Sequence, residues 1–223
     1  MTASGRELLK WIALICMTCD HLAIIVYGGH VPVLSQLGRI AFPLFAMVMA
    51  YNLAQDGADY GKSIRRLAVW GMVAQPVHMW AFGSVWPLNV LLTFALAACL
   101  VWSIDRRQLP LTAFLAVVAP VVVDYQWIGV WLVLAFWLWF KDRGRLVNIF
   151  YWYDRHSTLL HIRLPLWISL GMVFLCLYNG NAWALLAIPL AEIGYRNWKL
   201  PRTRWGFYVY YVGHLALLAA LVS

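Results

Sequence analysis

The chain has 223 residues, 64% of them hydrophobic and only 12% charged, with 14 Trp. Soluble domains run near 45–50% apolar and about 25% charged, so this composition excludes an ordinary soluble fold and indicates an integral membrane protein. The formal charge of +8 would suit a nucleic-acid binder, but the cations are placed in a way that removes that reading.

A helix needs about 20 apolar residues to cross a hydrocarbon core about 30 Å thick. Nine crossings are expected, at 8–26, 37–54, 64–82, 88–104, 109–123, 127–140, 164–179, 182–195 and 206–222. The intervals 109–123, 127–140 and 182–195 carry the weakest signal; a re-entrant segment or a broken pair fits the same residues. Arg6 and Lys10 precede the first apolar run, and no small-residue cleavage site follows it, so the run reads as a retained first helix. Cys16, Cys19, Cys99 and Cys176 all fall in apolar segments, where they read as packing residues; Cys16-Met-Thr-Cys19 lies on a helix. No internal repeat or low-complexity segment divides residues 1–223, which read as one domain. The fold class expected is all-α, a polytopic membrane bundle.

Numbering the loops alternately with the N-terminus inside puts every Lys and Arg except Arg39 on the cytoplasmic side. The outer loops, 28–36, 83–87, 124–126 and 179–181, contain no cation. The positive-inside rule is thus met at every loop, and the positive charge is chiefly a topology signal. Trp80, Trp86, Trp127, Trp131 and Trp183 fall near the outer boundaries, as an aromatic belt does. The connection 141–163 contains Tyr151-Trp-Tyr-Asp-Arg-His156 and reads as an interfacial piece.

Polar residues interrupt this pattern at depth. Helix rise puts Asp20 about 15 Å beyond Lys10, His214 about 15 Å beyond Arg204, and His78 about 18 Å beyond Arg66. Three histidines from three helices therefore reach one level near the midplane. Ionisable groups there cost roughly 3 kcal/mol each on insertion scales and are tolerated facing a cavity or bundle interior. Asp20 and His21 give little to packing and read as functional. Successive residues point about 100° apart, so both can face one cavity. Gln75 lies one turn before His78 and reads as its hydrogen-bonding partner. Arg39 is placed about 10 Å outward of the histidines, where it reads as a snorkelling or gating cation. Asn89 is also outer. His30, His156 and His161 read as loop or interface residues.

Lys10 to His21 with Leu37-Gly-Arg39-Ile-Ala-Phe-Pro43-Leu-Phe45 resembles the TraX family. The likeness continues through Arg66-Leu-Ala-Val-Trp-Gly, Ala74-Gln75-Pro76 and Pro87-Leu-Asn89, and ends at Phe207-Tyr208 with His214-Leu-Ala. The resemblance implies an acyltransferase-like membrane enzyme using acetyl-CoA, with the N-terminus of an F-type conjugative pilin as acceptor. It implies the inner membrane of a bacterium, and cations at the cytoplasmic start of a helix as the cofactor site: here Lys62, Arg65 and Arg66.

Acetyl transfer to an amine needs a base for its proton and a donor to the developing oxyanion. His21 is the candidate base. Asp20 is its candidate orienter, or a ligand for the substrate ammonium. His214 is a second base or the oxyanion donor, and a transient acetyl-histidine is an alternative route. Arg39, Gln75, His78 and Asn89 are assigned to the acceptor. No metal is expected, because His21, His78 and His214 lack close ligand spacing, and no nucleic acid. The rival class is a proton-coupled transporter built on the midplane Asp-His pair, which the missing repeat disfavours.

Overall fold

The computed structural model describes residues 1–141 and 165–223. Among these residues every regular element is helical and no strand forms, apart from one isolated bridge between Leu88 and Val123. The helices are α1 (Ala3–His21), α2 (Leu34–Gly38), α3 (Ala41–Leu53), α4 (Tyr60–Phe82) and α5 (Val90–Asp105). They continue with α6 (Leu109–Ala113), α7 (Gln126–Lys141), α8 (Leu166–Asn179), α9 (Ala187–Leu190) and α10 (Gly206–Val222). Short stretches of other helix types extend three of them. A π turn, Leu22–Val26, follows α1; a π turn and a 3-10 turn follow α6; and 3-10 turns flank α9.

Joined in this way, the described elements fall on all nine expected intervals. Two of the segments, Ala3–Val26 and Leu34–Leu53, have both the length and the hydropathy to cross a membrane. Helix α4 has 23 residues but carries Lys62, Arg65 and Arg66 in its first turns. The other apolar helices have 10–17 residues, at most about 26 Å of rise. The expected interfacial piece, with His156, His161, Arg143 and Arg145, lies outside the described residues.

Local chemistry explains where the helices depart from the expected intervals. Helix α1 begins at Ala3 and not at residue 8, because Thr2 caps it by accepting from the Gly5 amide at 2.9 Å. Glu7 is buried in that first turn and takes Lys10 and the Thr203 amide, so its charge is matched. Of the three weakest intervals, α7 is a regular helix and the other two are composites with prolines inside them, Pro110 and Pro120 in one and Pro189 in the other. The wide turn at Phe114–Val118 is held from α7: Trp131 and Trp127 donate their indole N–H to the carbonyls of Ala116 and Val117, at 3.0 and 2.8 Å.

Contacts between helices set their directions. On α1 and α10, Lys10 lies over Phe207, Thr18 meets Tyr210 and His21 meets His214, so the two helices run parallel. Helix α3 runs against α1, with Tyr51 beside Arg6 and Gly38 beside Asp20. Helix α5 runs against α4, since Gly71 faces Leu92 and Gln75 faces Asn89. Helix α7 runs with α3, through Phe42 on Tyr125 and Tyr51 on Phe140. These directions alternate along the chain as consecutive crossings require. Many faces turned outward are apolar: Leu166, Leu170, Val173 and Leu177 of α8 form one exposed stripe, the reverse of a water-facing helix.

Candidate active site

Helices α1, α4 and α10 bring His21, His78 and His214 to one level. His21 Nδ1 lies 2.7 Å from His214 Nε2. The ring planes differ by 4° with centroids 5.0 Å apart, so the imidazoles meet edge to edge, in the plane where their lone pairs and N–H bonds lie. Phe82 closes one side, edge-on to His21 at 5.5 Å and 4.6 Å from His78 between ring centroids. Tyr211 closes another.

The hydrogen bonds of this group assign its protons. His214 Nδ1 lies 2.8 Å from the Tyr210 carbonyl oxygen. A carbonyl only accepts, so His214 carries its proton on Nδ1 and presents a lone pair at Nε2. That lone pair accepts from His21 Nδ1–H. In the neutral pair the remaining lone pair is then on His21 Nε2, where a substrate proton can be taken. Tyr210 and Tyr211 were legible only as neighbours of His214 at helical spacing; the backbone carbonyl carried no signal in the sequence.

Asp20 goes elsewhere. The expectation that it orients His21 is replaced by His214 in that place, since the 100° between successive residues turns Asp20 toward α2. There it packs on Gly38, where a Cβ would come within 2.3 Å of the Asp20 Cβ; the absence of a side chain at 38 is what admits it. Asp20 Oδ1 is buried without a hydrogen-bond partner among the described residues, 4.0 Å from Arg39 Nη2. Arg39 is therefore level with Asp20 and not a layer outward. A turn at residues 39–40 between α2 and α3 lets it reach inward. Asp124, which in the sequence reads only as an outer loop residue, lies within electrostatic reach of both, while its Oδ1 accepts from the Tyr125 amide at 2.9 Å.

Gln75 and Asn89 are not free for a substrate. Gln75 Oε1 accepts from the Asn89 amide at 3.0 Å and from Asn89 Nδ2 at 2.7 Å. Asn89 Nδ2 also donates to the Gly71 carbonyl at 2.8 Å, while its Oδ1 caps α5 at the Leu91 amide, 3.1 Å away. Asn89 is fully buried. The pair clasps α4 to α5, and the expected Gln75–His78 bond is not made: His78 Nδ1 is buried and unpartnered among the described residues. Lys62, Arg65 and Arg66 are exposed at the start of α4, and Arg66 lies 5.6 Å over the Tyr208 ring. Among the described residues no three His, Cys, Asp or Glu side chains form a metal-ligand group.

Comparison with known proteins follows the same residues. The family described as TraX protein matches residues 5–222. Protein TraX of Escherichia coli is 35% identical over 102 residues, 45% of this chain and 41% of that protein. Protein TraX of E. coli strain K12 is 33% identical over 102 residues, with the same shares. An uncharacterized protein of Rickettsia prowazekii, RP591, is 29% identical over 97 residues, 44% of this chain and 36% of its own length. The matched stretch thus spans well under half of each of these relatives. No solved structure matches the chain.

Proposed function

The chain belongs to the TraX family, and from that premise we propose that it is a membrane-embedded acetyltransferase. It takes acetyl-CoA from the cytoplasm and acetylates a primary amine, the N-terminus of a small membrane-inserted pilin-like subunit. The observation that carries this reading is the in-plane His21–His214 pair. In the transfer the amine nitrogen attacks the thioester carbonyl and the carbon–sulfur bond breaks. His21 Nε2 takes the amine proton and returns it to the departing thiolate. The imidazolium formed meanwhile keeps its Nδ1–H on His214 Nε2, a neutral partner where many triads use a carboxylate. The buried Asp20 Oδ1 suits the incoming ammonium before it is deprotonated. Lys62, Arg65 and Arg66 offer the donors that CoA phosphates need.

Mass spectrometry of a pilin co-expressed with this protein tests the reading, together with acetyl-CoA binding to the purified protein. The expected result is one acetyl group added to the acceptor N-terminus, dependent on this protein. Failure of the purified protein to bind acetyl-CoA would return the proton-coupled transporter to first place, since paired histidines also relay protons.

We further infer nine crossings of a bacterial inner membrane, N-terminus inside. The alternating helix directions and the one-sided cations support this topology. Reporters fused after Gln36, Arg107 and Ser223 are expected to read outside, inside and outside. An inside signal at Ser223 would mean that one composite segment, Leu109–Val122 or Trp183–Tyr195, turns back without crossing.

A further inference from the structure

The inner ends of α4 and α10 carry a ring cluster that the transfer chemistry does not use. Trp70 stacks on Tyr208 at 5.7 Å with planes 16° apart, and Trp205 lies 6.4 Å from Trp70. Arg66 covers Tyr208 from the cationic side. Trp205 is 57% exposed at the start of α10. Arg65, Arg202 and Arg204 are exposed nearby in the chain, on the same side of the molecule. The one acid on the facing turn of α1, Glu7, is buried and already committed to Lys10 and the Thr203 amide. The patch therefore combines a stacking surface of exposed aromatic edge with several cations that have no acid partner among the described residues. A lone aromatic belt needs no such concentration of guanidinium groups.

The same two helices lead from this patch to the histidines. Tyr208 to His214 is about 9 Å along α10, and Arg66 to His78 about 18 Å along α4. Those lengths match the reach of a ligand with a planar base and phosphates at one end and a long arm at the other.

We propose that Trp205 and Tyr208, with Trp70 behind them and Arg66 above, form the platform that binds the adenine nucleotide end of the co-substrate. The inference rests on the acetyl-CoA reading above and deepens it. The base stacks on the exposed ring, as bases do on aromatic side chains without reading sequence. Arg66 and Arg204 take the phosphates, since a guanidinium can stack and bond phosphate at once. The thioester arm then runs along the α4–α10 seam toward His21.

The test is calorimetry on the purified full chain with two probes, adenosine 3′,5′-bisphosphate and acetyl-CoA. Trp205→Leu and Tyr208→Leu keep an apolar side chain at the interface and remove the stack. Each is expected to weaken both probes at least about tenfold, and Trp205→Phe is expected to restore most of it. Trp131→Leu, an exposed Trp at the opposite end, is expected to bind as the parent does. Leucine variants that bind like the parent overturn the platform while leaving the acetyltransferase reading intact. So does a parent that binds acetyl-CoA but gives no heat with the bisphosphate. A parent that binds neither probe overturns the acetyltransferase reading and the platform with it. Binding seen in neutral nanodiscs and abolished by phosphatidylglycerol would reassign the patch to lipid headgroups.

Discussion

His21→Ala is expected to reduce acetylation of the acceptor by about 10²–10⁴-fold, the usual contribution of a positioned base, with acetyl-CoA binding within twofold of the parent. The two readouts separate because the co-substrate's charged end is assigned to the other end of α4 and α10. His214 acts through His21 and is a positioning residue, so its variants behave differently. His214→Phe keeps a ring but removes the acceptor for His21 Nδ1–H. His21 is then free to move its proton to Nε2, which blocks the lone pair the reaction needs. Activity is expected to fall by more than tenfold. His214→Gln, whose amide oxygen can still accept, is expected to retain more activity than His214→Phe. Full acetylation by a folded His21→Ala protein would remove the base assignment. Equal activity of His214→Gln and His214→Phe would remove the proton-fixing role.

The second large effect falls on stability. Asn89→Ala is expected to cost about 2–4 kcal/mol, because it strips a buried group of several partners together. The Gly71 carbonyl, one bond to Gln75 Oε1 and the cap at Leu91 are lost with one side chain. For a chain of this size that lowers the melting temperature by roughly 5–15 °C. Asn89→Asp is expected to be worse than Asn89→Ala, since a carboxylate keeps the cap but faces the Gln75 oxygen and the Gly71 carbonyl with no donor. Thermal unfolding in detergent by intrinsic fluorescence reads both. A melting temperature unchanged in Asn89→Ala would mean that the clasp is not what fixes α4 on α5.

Much of this arrangement could be read from the residues. Apolar intervals located the described helices apart from the short α2, which begins inside the expected outer loop 28–36, and helix rise from the inner cations put His21, His78 and His214 at one depth. Depth is a property of a single helix and needs no neighbour. Rotation about the axis was not legible in the same way. Asp20 and His21 are adjacent in sequence and face different helices, and which neighbour stands on which side is decided by the packing of the whole bundle. For the same reason Gln75 read as a partner for His78, one turn along its own helix, when its partner Asn89 comes from the next helix across the turn after Gly83. Arg39 was misplaced because helix rise along 37–54 assumes one unbroken helix, whereas the chain turns at 39–40. The start of α1 was missed because Glu7 and Lys10 lower the hydropathy of a turn that is nevertheless buried and neutralised internally.

The wide turn at Leu22–Val26 begins at the residue directly after His21. A π turn accommodates one more residue than an α turn, so it shifts the register of the residues after it. The turn itself packs against α10, so its residues meet that helix in the shifted register while His21, just before it, stays opposite His214. An insertion inside the turn would therefore disturb packing on α10 next to the imidazole pair, whereas the loop at Gly28–Gly29, where an added Cβ would meet nothing within 4 Å, would take one at lower cost.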